Sequence, residues 1–244
     1  MVQLKIKTVT AVGHAGFTLV ELLVALVISG VLMTAVYTTF QAQQNSYLAQ
    51  EQVAEMQQNI RAGMDIMVSD LKMAGFRGSG SSSAGIQDAK GDAITFSYDL
   101  NEDGDTDDAG ENIGYDIYTS PTTGPFTLER ASSGSALTLV ETPANSGHYE
   151  ISPHQQPFAE NIERLEFYYK LADGARTTAP AAAQLELIRS IEISILAITA
   201  HPDRNYTNNK TYLSLSGDDW TPVPPDHFRR RLQTMTVKCR NLGL

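Results

Sequence analysis

The chain has 244 residues, 42% of them hydrophobic, with 18 basic against 28 acidic side chains and a formal net charge of −10. That size suits one membrane segment plus one soluble domain able to bury its own core, and argues against a second full domain. The negative balance disfavours nucleic acid as a partner, and the single cysteine, Cys239, excludes an intrachain disulfide.

Near the start lies "GHAGFTLVELLVALVISGVLMTAVY", residues 13–37, an apolar run interrupted by one carboxylate, Glu21. The 20 residues from Phe17 to Val36 are enough, at about 1.5 Å per residue, to cross a hydrocarbon core of about 30 Å. Lys5 and Lys7 precede the run without any acid, which keeps residues 1–16 cytoplasmic and sends the remainder outward. An ordinary secretory signal has its small residues after the apolar core; here Ala15 and Gly16 come before it, so cleavage there retains the hydrophobic helix. A carboxylate in lipid is costly unless it is paired, which makes Glu21 a candidate functional residue. The plainer alternative is a signal anchor in which Glu21 reaches water at the interface.

The block "GFTLVELLVALVISG" resembles the class III signal of type IV prepilins and pseudopilins, with Gly16, Phe17, Thr18, Leu19 and Glu21 at the family's positions. The resemblance implies cleavage by a prepilin peptidase between Gly16 and Phe17, N-methylation of Phe17, and pairing of Glu21 with the free amine of a neighbouring subunit. Loss of the leader removes two lysines, leaving 16 basic against 28 acidic side chains.

Residues 38–75 contain no proline and are rich in Gln, Ala, Met and Glu, so the helix should continue to a stop at Gly75. Val53, Met56, Ile60, Met64, Met67 and Leu71 recur at spacings of three and four, an apolar stripe that needs a partner. Methionines at that spacing read as core. "GSGSSSAG", residues 78–85, reads as a flexible surface linker.

Strands are predicted at 93–99, 113–119, 126–131, 136–141, 162–171, 187–199 and 228–242. The fold class expected is α+β: a long N-terminal helix, transmembrane in its first half, packed in its second half against an antiparallel β-sheet. The resemblance implies the same pilin fold. The organisation is then a leader (1–16), a transmembrane or filament-core helix (17–37), its amphipathic continuation (38–75) and a β-rich globular domain (76–244).

"DLNEDGDTDDAGE", residues 99–111, places Asp99, Asn101, Asp103 and Asp107 at positions one, three, five and nine of a calcium loop, with Gly104 at six. Asp105, at seven, can offer its backbone carbonyl. The closing acid, Glu111, falls at thirteen instead of twelve. The expectation is a Ca2+ loop inserted in a hairpin, of weak affinity, about 10⁻⁴–10⁻³ M. The alternative is a solvated acidic turn organised by Asp–Gly chemistry.

No catalytic residues are assigned. His14, His148, His154, His201 and His227 have no metal-ligand spacing, His148 and His154 reading as surface loop residues, and there is no nucleophile elbow or Cys–His pair. Cys239 reads as a buried structural thiol. Arg229, Arg230 and Arg231 read as partners for acidic neighbours, not as a nucleic-acid patch.

The wider pattern is most similar to minor pilins of the PilW type, carried by "QQNSYLAQEQVAEMQQNIRAGMDIMVSDLKMAGFRG", the acidic loop and "VKCRNLGL". It implies a subunit that joins or primes a type IV pilus. Its partners would be other pilins, prepilin peptidase and the inner-membrane assembly platform. It would lie in the inner membrane before assembly, with an extracytoplasmic domain, and then in the pilus. A minor pseudopilin of a type II secretion system shares these features. A membrane-anchored extracytoplasmic calcium-binding or adhesive module is an alternative of another class.

Overall fold

The computed structural model describes residues 16–78, 83–118, 126–142, 148–152 and 156–242. One long helix, α1 (Leu19–Met73), is followed by β1 (Ile86–Ala89), β2 (Ile94–Ser97), β3 (Asn112–Tyr118), β4 (Phe126–Ser133), β5 (Thr138–Glu141), β6 (Tyr149–Ser152), β7 (Gln156–Leu171), β8 (Arg176–Thr177), β9 (Ile188–Ile198) and β10 (Arg230–Lys238). The chain divides into two units, Met1–Leu48 and Ala49–Leu244.

In the first unit every described residue, 16–48, is exposed. The α1 sequence there is apolar nearly all round from Leu19 to Tyr37, then largely polar to Leu48, and buries nothing against its own chain; the apolar part has the character of a helix solvated by an apolar medium. By length and composition α1 is able to cross a membrane.

The second unit is an α+β layer. Its sheet runs β1-β2-β3-β4-β7-β9-β10, all pairings antiparallel, with β8 added to β7. The expected helix stripe is the buried face: Met56, Ile60, Met64, Met67 and Leu71 share one core with Phe96, Tyr115, Leu128, Phe167, Tyr169, Ile191 and Ile193, and Val53 is half-buried. Gly63 belongs to this face because a Cβ there would stand 3.3 Å from Leu128 and 3.4 Å from Ala159, so its absence sets how closely helix and sheet approach. The helix ends as predicted: Gly75 takes φ +75 and its N–H donates to the Ser97 carbonyl at 2.9 Å. Asn241 Nδ2 donates to the Lys72 carbonyl at 3.1 Å, and Leu242 packs so closely on Gly75 that a Cβ there would lie 2.5 Å from it.

The other face of the sheet is covered by two segments whose place there the sequence did not mark, although it predicted β5 as a strand. Hairpin β5–β6 seats Leu137 and Ile151 over Ala131 of β4. The stretch 199–229 lies over β7 and β9: Ser214 Oγ and Ser216 Oγ both donate to Glu166, at 2.9 and 2.5 Å, and Leu215 N–H donates to Ser194 Oγ at 3.1 Å. This double cover is why β9 is buried along nearly its whole length.

Two expectations need correction. His148 is no surface loop residue: it is half-buried and paired through Nδ1 with the Asp92 carboxylate, while His154 lies outside the described residues. The 78–85 linker is not solvated throughout, since Ala84 is buried and its carbonyl accepts from Arg77 at 3.0 Å; residues 79–82 lie outside the described residues. Two of the three arginines behave as expected. Arg229 pairs with Asp203 at 2.7 Å and stacks on Tyr206, and buried Arg230 forks between Glu163 and Asp226 at 2.5 and 2.6 Å. Cys239 is free and buried, and burial pushes its thiol up to about 12.

Candidate functional site

Two places in the molecule concentrate residues singled out by the sequence. The first is the start of α1. Gly16, Phe17 and Thr18 precede the helix in extended or irregular backbone, and all are exposed. Thr18 is the N-cap: its carbonyl accepts the N–H of Leu22 at 3.1 Å and its Oγ1 accepts the N–H of Glu21 at 3.2 Å. A hydroxyl cap satisfies one of the orphan N–H groups at a helix start and stabilises it by about 0.5–2 kcal/mol. Thr18-Leu19-Val20-Glu21 has the spacing of a capping box, a local signal that the sequence reading overlooked. The backbone half of that box is formed. The Glu21 carboxylate itself has no partner among the described residues, and it is exposed beside Phe17 and Leu22, each more than half exposed. A negative group in the first turn also lies at the positive end of the helix dipole.

The second place is the 98–111 connection between β2 and β3, which pair antiparallel up to Ser97 and Asn112. Strands do flank the loop. Its geometry is a succession of side-chain-to-backbone turns: Asp103 N–H donates to Asn101 Oδ1 at 3.1 Å, Asp105 N–H to Asp103 at 3.2 Å and Asp107 N–H to Asp105 at 3.2 Å. Gly104 has φ +97, a left-handed conformation that suits glycine, and its N–H donates to Asp99 Oδ2 at 3.1 Å. Glu111 is buried and ties the two ends together, one oxygen accepting from Leu100 N–H at 2.8 Å and the other from Asp108 N–H at 3.1 Å.

Three carboxylates, Asp103, Asp105 and Asp108, each bring an oxygen within 4.8 Å of the others. Asn101 Nδ2 donates to both Asp103 and Asp108, at 2.9 and 2.6 Å. Asp107, expected in the ligand set, instead shares a hydrogen bond with Asp105; this lowers the Asp105 carboxyl and, with repulsion from Asp105, raises that of Asp107. Asp108 is raised by partial desolvation and by the charges of Asp103 and Glu111. The sequence reading did not single out Asp108, which the structure, and not Asp107, brings beside Asp103 and Asp105; the one-residue displacement of Glu111 is the signal in the sequence.

Asp99 stands apart from its neighbours in burial. It is 0% exposed, and its Oδ1 is buried without a hydrogen-bond partner. Leaving a buried acceptor unsatisfied costs about 1–3 kcal/mol, and more for a charged one.

Comparison with known proteins bears on both places. Residues 13–37 match the prokaryotic N-terminal methylation motif, which contains Gly16, Phe17 and Glu21. Residues 49–213 match the family described as prepilin peptidase-dependent protein B. Among solved structures, a type IV-like pilin from Thermus thermophilus is similar at 16% identity and a TM-score of 0.44, covering 77% of this chain and 96% of that one. No curated protein matches. With the N-terminal motif at the head of the long helix and the family match spanning most of the remainder, the chain belongs to the prepilin peptidase-dependent protein B family and is a type IV pilin-like protein.

Proposed function

We propose that the protein is a minor pilin of the PilW type, cut between Gly16 and Phe17, methylated at Phe17, and incorporated into a type IV pilus to prime or extend it. The observation that carries this reading is the Glu21 carboxylate, set in the apolar, exposed first part of α1 with no partner among the described residues. Cleavage supplies the missing partner as the ammonium of Phe17 on an adjacent subunit. Two charges that are each expensive in lipid then neutralise each other, and the pairing fixes the register of one helix against the next. The exposed apolar surface of residues 17–48 is solvated by lipid before assembly and by other pilin helices afterwards. The acidic domain faces the extracytoplasmic side, as the leader lysines direct.

N-terminal mass spectrometry of the membrane fraction tests the processing step: a chain beginning at methylated Phe17 is expected, and an intact leader refutes it. Glu21→Leu tests the pairing. Insertion and cleavage should persist while incorporation into sheared filaments is lost; normal incorporation would exclude the pairing. Deleting the protein should reduce surface pili and leave protein secretion intact, the reverse pattern assigning it to a type II secretion pseudopilus.

A further inference from the structure

The 99–111 loop carries an inference independent of filament assembly. Acidic turns are common, and hydrogen bonding among their own groups does not make one a binding site. This loop differs in holding Asp99, a fully buried carboxylate with one oxygen, Oδ1, lacking any hydrogen-bond partner. Its sister oxygen Oδ2 accepts the N–H of Gly104 at mid-loop, so the carboxylate is turned toward the loop and its free lone pairs are enclosed with it. No cationic side chain is available to satisfy it: among the described residues, neither Asp99 nor the Asp103, Asp105 and Asp108 cluster has a salt bridge to Lys, Arg or His. A carboxylate in such surroundings is stabilised by a cation from solution.

We propose that the loop binds one calcium ion through oxygens of Asp99, Asn101, Asp103, Asp105 and Asp108. The donors are all oxygens, which suits a hard divalent cation and not a soft one. Asn101 now points its amide nitrogen between Asp103 and Asp108, standing in for the positive charge. Turning that amide to bring Oδ1 into place as a ligand releases the Asp103 N–H that Oδ1 now accepts. Glu111 closes the loop from beneath by holding the backbone at Leu100 and Asp108, so it sets the ring's circumference. Five donor side chains, exposed at Asp103, Asp105 and Asp108, suit the six to eight ligands of calcium better than the smaller, stricter octahedron of magnesium. The base of the loop is also tied to the segment after α1, Asp99 N–H donating to the Phe76 carbonyl at 2.9 Å, so ion binding would stiffen the junction where helix meets sheet.

The test uses the full chain in detergent, stripped with EDTA, with thermal melting and equilibrium dialysis against radioactive calcium. For a dissociation constant of about 10⁻⁴–10⁻³ M, about 10 mM CaCl2 should raise Tm by about 3–10 °C with one ion bound per chain. Asp99→Asn and the double variant D103N/D108N should each abolish the rise and the binding, the exposed pair serving as the check that folding is intact. An unchanged Tm with no bound calcium overturns the proposal. So does an equal response to MgCl2, which signals charge screening alone, or an undiminished response in Asp99→Asn.

Discussion

The two stretches of α1 obey the same helix chemistry and solve opposite problems. Residues 49–73 gather most of their apolar side chains into one stripe covered by the sheet of the same chain, leaving Ile66 and Met73 outside it. Residues 19–48 spread theirs around the whole helix, and none is covered. Each stretch also carries an acid that needs company. Asp70 finds it at home, accepting from Arg130 at 2.7 Å and from the Tyr115 hydroxyl at 2.5 Å, while burial and the Asp70 charge push the Tyr115 phenol up. Glu21 has no such neighbour among the described residues. The difference separates what the domain needs in order to fold from what it needs in order to assemble.

The contrast can be broken most forcefully by truncation. Ile60→Ala, in the covered stripe, should destabilise the domain by about 2–5 kcal/mol through lost burial and the cavity left behind, read as a lowered Tm of the full chain in detergent. Ile28→Ala, in the exposed stretch, should leave the same transition where it was. Equal effects would erase the distinction between the two stretches. A smaller loss, about 1.5–3 kcal/mol, is expected for Asp70→Ala, which strands Arg130 and the Tyr115 hydroxyl, with Glu21→Ala again silent in the melt.

The pH dependence sharpens the comparison within the domain. Burial raises the Asp116 carboxyl to about 7, despite the Ile151 N–H it accepts at 2.7 Å. Its folded form keeps a proton that the unfolded chain releases near pH 4, so stability is greatest at low pH and falls as pH rises toward 7. His148 is also raised: burial opposes its charge, but Asp92 and Glu150 outweigh that. The raised His148 contributes stability below its unfolded value and loses it as pH rises through the folded one, the same direction. Both groups sit where β5–β6 docks, facing Asp92, Glu129 and Glu150. Protection of the hairpin amides, corrected for the intrinsic rise of exchange with pH, should fall from pH 5 to pH 8 by the equivalent of about 1–2 kcal/mol, because undocking limits the penalty. Asp116→Asn should flatten that slope, leaving α1 exchange unchanged. The mildest expectation concerns Cys239, whose raised, buried thiol should resist alkylation at pH 8 until the domain unfolds.

Legibility in the sequence followed range. The helix, its stripe and its stop at Gly75 are local patterns, and they stand where periodicity and glycine chemistry put them. Strands β2, β3, β4, β5, β7, β9 and β10 were also foreseen, but β7 begins at Gln156 instead of 162 and β10 ends at Lys238 instead of 242. Strands β1, β6 and β8 escaped notice because they are two to four residues long with no clean alternation, and only their neighbours make them strands. The cover over the second sheet face was hidden for a related reason. Ser214 and Ser216 meet Glu166 across about fifty positions, a contact that no spacing rule encodes. In the acidic loop, residue types were legible and their grouping was not, since Asp108 and not Asp107 lies with Asp103 and Asp105. The Asp99 orphan could be recognised only once burial was known.

The tie between the end of α1 and residues 241–242 has a mechanical meaning. Lys72 and Gly75 are held by Asn241 and Leu242, which follow directly on β10, the edge strand paired along nine positions with β9. A pull on the helix is thus shared with a strand anchored by a long row of backbone hydrogen bonds, so tension meets many bonds at once instead of peeling them in turn. In the filament role proposed above, that joint would let the domain stay folded while the helix is under tension.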